Sequence, residues 1–146
     1  ASTHSAGLLA GADDAQIEAL RQYGNALGIA FQLVDDVLDY TGDADAMGKN
    51  VGDDLAEGKP TLPLIYAMRE GTAEQATLVR KAIQKGGIED ITAIQEAVRG
   101  CGALAYTSAL ARSHIDEALR LLQVLPPSVY RDSLEQLAEF AIDRSF

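Results

Sequence analysis

Tryptophan is absent from this sequence, cysteine occurs once and proline four times. A lone Cys101 cannot close an internal disulfide, so no oxidising compartment is required and a reducing cytoplasm is expected. Its setting in "RGCGALAY" reads as a small helix-packing residue rather than a nucleophile. Basic residues are scarce as well: 12 Lys and Arg stand against 22 Asp and Glu, a net charge of -10. Nucleic acid is therefore not expected as a partner, because its phosphates select cationic surfaces. An acidic chain that binds phosphate needs metal ions as intermediaries. No apolar run approaches the roughly 18 residues of a membrane-spanning helix. "AGLLAGA" is too short for a signal-peptide core and has no basic residues ahead of it. What is present is 47% hydrophobic content over 146 residues, enough for one compact domain with a real core.

Helical periodicity dominates throughout, and no window shows the period-2, β-branched alternation of strands, so the expected class is all-α. A first helix ends at about Gly11, and Asp13 or Asp14 caps a long second one reaching Asp39 or Tyr40. Because "ASTHSAGLLAG" lacks an initiator Met and reads as the end of a helix under way, an upstream portion is expected. Residues 41–60, "TGDADAMGKNVGDDLAEGKP", form a charged, glycine-punctuated loop of the kind that carries function. "TLPLIYAMREG" reads as a short buried helix stopped by Gly71, and the Thr72–Gln75 capping box starts another, running to about Lys85. After the "KGG" turn come helices from about Glu89 to Arg99 and from about Gly102 to Leu125. Pro126 and Pro127 break the chain before a last helix from about Ser128 to Asp143. No internal repeat and no low-complexity segment is found.

The segment "FQLVDDVLDY", residues 31–40, poses the chemical question. At 3.6 residues per turn Asp35 and Asp39 share a face, Asp36 lies beside them and Gln32 sits one turn earlier. Like charges at this spacing repel by a few tenths of a kcal/mol even in water, about, and by more near apolar neighbours. A few acids on a helix ordinarily mean a solvated face. Here, however, Phe31, Leu33, Val34, Val37 and Leu38 collar them, so a buried helix with one polar seam is expected. Such a seam would hold a divalent cation. Mg²⁺ fits best, because it takes one or two carboxylates, keeps waters and is completed by substrate phosphates. Lys49 and Lys59, each preceded by glycine, are candidates to meet those phosphates, and Asp53 to hold a water or further metal. Alone, either lysine would read as an ordinary exposed loop residue, and Gln32 as a satisfied core amide.

A rival reading takes "DADAMGKNVGDD", Asp43 to Asp54, as a calcium loop, with acids at its first and third positions and glycine at the sixth. It fails at Met47, where an oxygen ligand is wanted, and at Asp54, where a longer Glu would close the site.

"FQLVDDVLDY" followed by "GDADAMGKNVGDDLAEGKPTLPL" resembles the second aspartate-rich motif and following loop of the trans-prenyl diphosphate synthases. "GKNVGDDLAEGKPTLP" is nearest their long-chain, octaprenyl-type bacterial members, and the likeness continues to the end of the chain. The resemblance implies an all-helical isoprenoid-synthase bundle, with residues 1–146 forming the C-terminal half of a single domain. It implies that Asp35, Asp36 and Asp39 bind Mg²⁺ bridged to the allylic diphosphate and that Asp53 lies near one of the metals. Phe31 and Gln32 would line the substrate side, while Lys49 and Lys59 contact the leaving diphosphate. The implied reaction joins isopentenyl diphosphate to an allylic diphosphate, in a homodimeric cytoplasmic enzyme.

Departures from the family pattern are equally informative. The first aspartate-rich motif and the early basic residues that bind isopentenyl diphosphate do not occur here, so this chain alone is expected to be inactive. "DRSF" offers only Arg144 in place of a basic tail. A non-catalytic partner subunit of the same fold is the alternative; the intact acidic motif weighs against it.

Overall fold

The computed structural model describes residues 1–41, 52–86 and 89–143. Among these the all-α expectation holds. The α-helices are α1 (Ser2–Leu9), α2 (Asp14–Thr41), α3 (Asp53–Ala56), α4 (Leu62–Glu70), α5 (Ala73–Lys85), α6 (Ile91–Gly100), α7 (Ala103–Leu121) and α8 (Val129–Ile142), with a 3₁₀ turn at Leu122–Val124. The chain divides into two compact units, Ala1–Gln32 with Leu110–Phe146, and Leu33–Ala109.

Caps account for most of the boundaries. Asp13 Oδ1 accepts the Gln16 N–H at 2.8 Å and starts α2. Thr72 and Gln75 form the reciprocal capping box of α5, and Ser128 Oγ accepts the Arg131 N–H to open α8. The expected single helix to Leu125 instead tightens after Leu121 into the 3₁₀ turn, because the last turn before Pro126 has lost downstream N–H donors.

In the first unit, Tyr23, Ala26 and Ala30 of α2 pack with Ile115, Ala118, Leu122, Ala138 and Ala141. Each helical stretch contributes residues spaced three or four apart, and the alanines permit close approach of the backbones. The Tyr23 hydroxyl donates to the Leu134 carbonyl at 2.8 Å, so this buried phenol is satisfied. Burial pushes its pKa up to about 12.

The second unit is built around Tyr40, Leu55, Leu64, Ala67, Val79, Ala82, Ile94, Val98 and Ala103. Cys101 packs against this cluster as expected. Tyr66 and Tyr106 stack with ring centroids 4.6 Å apart, with the Arg69 guanidinium over Tyr66 at 5.6 Å.

The expectation that the Ala26–Leu38 stretch is buried on nearly all sides is corrected. Ile29 is 38% and Phe31 42% exposed, and Val34, Val37 and Leu38 are only half-buried. At 100° per residue Ile29 and Phe31 fall on either side of the Tyr23–Ala26–Ala30 stripe that meets the core.

Candidate functional site

The last turns of α2 carry Asp35, Asp36 and Asp39, all half-buried. A helix end leaves carbonyls without intrahelical partners, and here they tie down the site. The Gly52 N–H donates to the Asp39 carbonyl at 3.2 Å, the Arg99 guanidinium of α6 to that of Tyr40 at 3.1 Å, and the Thr41 hydroxyl to that of Val37 at 3.0 Å. Gly52 has φ +86°, a backbone conformation open to glycine, and this bend sets α3 beside the end of α2.

That docking brings Asp53 and Asp54 of α3 toward the acids of α2. Burial raises the pKa of Asp36, the charge of Asp54 raises it further, and the Leu62 N–H, donating to Oδ2 at 3.4 Å, offsets part of the shift. Asp39 is likewise raised, first by burial and then by Asp54, against the amides of Gly52 and Asp53. Asp39 Oδ2 is buried with no hydrogen-bond partner among the described residues.

Lys59 follows Gly58, whose φ of +71° and whose fit against the Ile83 carbonyl both favour glycine. Its ammonium pairs with Asp54 at 3.1 Å and Glu57 at 2.7 Å, and these partners raise its pKa. Both pairs are exposed, so they are weak and exchangeable for a stronger anion. Asp53 is exposed in the first turn of α3; Phe31 and Gln32 are exposed and lie in the other unit's stretch of α2. Lys49, the candidate calcium-loop residues 43–51, the second glycine of "KGG" and Arg144 lie outside the described residues.

Whether these residues fit a cation can be judged from the donors. They are hard carboxylate oxygens, one of them buried with no partner among the described residues, at a place where burial and neighbouring acids raise the pKa of Asp36 and Asp39. Among the described residues no three His, Cys, Asp or Glu side chains group closely enough to enclose a metal by themselves. The set fits a cation held through one or two carboxylates and completed by a ligand's oxygens, which is the habit of Mg²⁺. Sequence reasoning misses two contributors: Asp54 reads only as a calcium-loop terminus, and Arg99 gives no signal, because its role arises from a contact 59 residues away along the chain.

The family model for polyprenyl synthetase matches residues 1–100. Octaprenyl diphosphate synthase of Escherichia coli (strain K12) is 47% identical over 145 residues, covering 99% of this chain and 45% of that protein. A polyprenyl synthase structure from Caulobacter crescentus CB15, complexed with calcium and isoprenyl diphosphate, superposes with a TM-score of 0.86 at 42% identity, over 97% of this chain and 44% of the other. Geranylgeranyl pyrophosphate synthase from Corynebacterium glutamicum, complexed with isoprenyl diphosphate and magnesium, gives a TM-score of 0.82 at 36% identity, over 92% of this chain and 39% of the other. The chain belongs to the polyprenyl synthetase family and has its all-α isoprenoid-synthase fold. It spans a little under half the length of these relatives. No helix among the described residues is long and apolar enough to cross a membrane.

Proposed function

We propose that the chain is the C-terminal half of a single prenyltransferase domain, which condenses isopentenyl diphosphate with an allylic diphosphate into a long-chain, octaprenyl-type all-trans product. The observation that carries this reading is the acidic seam at the end of α2, where Asp36 and Asp39 are half-buried and Asp39 Oδ2 has no hydrogen-bond partner among the described residues.

In the reaction the allylic C–O bond breaks, its electron pair leaving with the diphosphate. The isopentenyl double bond attacks the allylic cation, and loss of a proton restores an alkene. Asp35, Asp36 and Asp39 would hold Mg²⁺, with Asp53 beside them. Mg²⁺ bound there supplies positive charge against the departing diphosphate. Lys59 would exchange Asp54 and Glu57 for diphosphate oxygens, and Lys49 would act with it. Phe31 and Gln32 would face the substrate, where apolar surface keeps water from the cation. A homodimer in the cytoplasm completes the reading.

The test is to incubate the 146-residue chain and the full-length gene product separately with farnesyl diphosphate, labelled isopentenyl diphosphate and Mg²⁺, and to read product lengths by chromatography. A long polyprenyl product from the full-length protein alone is expected. Product from the short chain would overturn its proposed inactivity. No product from either would favour a non-catalytic partner subunit.

A further inference from the structure

Helix α8 is apolar over more of its circumference than the first unit covers. Its core side presents Ala138 and Ala141, with Leu134 and Ile142 packed beside them. Yet Val129 is 71%, Tyr130 81%, Leu137 50% and Phe140 61% exposed. At roughly 100° per residue these side chains fall on one arc about 100° wide, next to the arc that meets the core. Asp132, Glu135 and Glu139 keep to what remains. A surface helix needs a single apolar stripe of roughly 100°, and a helix apolar over most of its girth belongs in an interior.

Single exposed apolar residues are ordinary, but a contiguous stripe of them marks a contact surface. The exposure is also unevenly shared between the units. Among the described residues Leu8 and Leu9 of α1, Ile29 of α2 and Val124 add to it in the first unit, whereas the second exposes only Ile65 and Tyr106 of its large apolar side chains.

We propose that the face formed by Val129, Tyr130, Leu137 and Phe140 of α8 docks against the N-terminal half of the same domain. The inference rests on the half-domain reading given under Proposed function. The chain spans a little under half the length of its relatives, and a covalently attached segment meets the face without the entropy cost of free association. A second copy is the poorer occupant. Against its three acids α8 has one base, Arg131, which pairs with Glu135 at 3.3 Å, so two such helices would set acid beside acid in chains of net charge -10. The same charge disfavours an anionic membrane surface, where interfacial helices carry lysine and arginine on their polar face.

The experiment follows thermal unfolding of Tyr130→Ala, Phe140→Ala, the double variant and a Glu139→Gln control, each made in the 146-residue chain and in the full-length gene product. In the short chain every variant is expected to melt within about 1 °C of wild type, since the side chains removed are exposed and alanine suits a helix. In the full-length protein Tyr130→Ala and Phe140→Ala should each lower the melting temperature by about 4 °C or more, the mark of emptying a packed site, and Glu139→Gln should leave it in place. The single variants keep the test decisive if the double one does not fold. Unchanged melting temperatures in the full-length variants overturn the inference. So does a folded full-length double variant whose subunits separate in sedimentation, which assigns the face to a second copy. Flotation of the full-length protein with phosphatidylcholine vesicles, abolished in the double variant, assigns the face to lipid and overturns the inference as well. Product formation is read apart from the melts: its absence removes the prenyltransferase reading, and the melts still decide the docking. A full-length gene product no longer than this chain removes the half-domain reading and the inference with it.

Discussion

Helix α2 carries two tyrosines that are both fully buried, one in each unit, and their surroundings differ in one respect. The Tyr23 hydroxyl donates a hydrogen bond to the Leu134 carbonyl at 2.8 Å; the Tyr40 hydroxyl has no partner among the described residues. The first is what a stable core requires, since a buried polar group without a hydrogen bond costs roughly 1–3 kcal/mol. The second is tolerated beside the acidic seam, where Asp39 Oδ2 and Thr61 Oγ1 are also unpaired. The difference is local to the two hydroxyls: that of Tyr23 is tied to the backbone of α8, while that of Tyr40 lies in a stretch that also holds acidic side chains.

The largest effects should come from the cores, where the two units ought to behave alike. Ile115→Ala in the first and Ile94→Ala in the second each empty a fully buried site, and each should cost about 2–5 kcal/mol of unfolding free energy in urea. A loss under about 1 kcal/mol in either would mean that its cluster is not a packed core.

The hydroxyls should then separate the units. Tyr23→Phe removes the hydroxyl's bond to the Leu134 carbonyl and should cost about 1 kcal/mol, while Tyr40→Phe, which removes a hydroxyl with no partner among the described residues, should be neutral within about 0.5 kcal/mol or stabilising. Equal losses in urea melts would erase the contrast.

The smallest effects are in pH dependence, and they have opposite signs. Glu18, in the first unit, has its pKa lowered to about 2 by hydrogen bonds from Arg21 and then Gln22. Its stabilising contribution is present above its ordinary value of 4.5 and is lost as pH falls toward 2. Asp36 is raised by burial and by its acidic neighbours, so its contribution is present below its ordinary value of 3.8 and is lost as pH rises through the higher native value. Melting temperatures between pH 6 and 3 should therefore fall less steeply with acid in Glu18→Gln than in wild type, and more steeply in Asp36→Asn. Matching slopes in the two variants would refute the opposed signs.

Most of the helices were legible because each rests on local chemistry. The Thr72–Gln75 capping box, the Asp13 and Ser128 caps and the prolines after the 3₁₀ turn act within a few residues of chain, and the helical spacing of Tyr23, Ala26 and Ala30 follows from one repeat. Asp35, Asp36 and Asp39 could be read as a seam for the same reason. The burial of their collar could not, because Val34, Val37 and Phe31 meet whatever the tertiary arrangement sets against them, and periodicity says only which residues share a face.

The sequence by itself determined that the chain is helical and acidic, that α2 ends in a carboxylate seam, and which family's motif that seam resembles. These follow from residue type, short-range spacing and charge. Only the tertiary structure decided that Asp54 joins the seam, that Lys59 is held by Asp54 and Glu57, that Arg99 fastens the end of α2, that Leu62 of α4 donates to Asp36, and that Tyr40 and Leu64 share the second core. Partners such as Arg99 and Tyr40 are 59 residues apart in the chain. No local rule of propensity or periodicity carries information over that separation, and the packing of the second core brings them together.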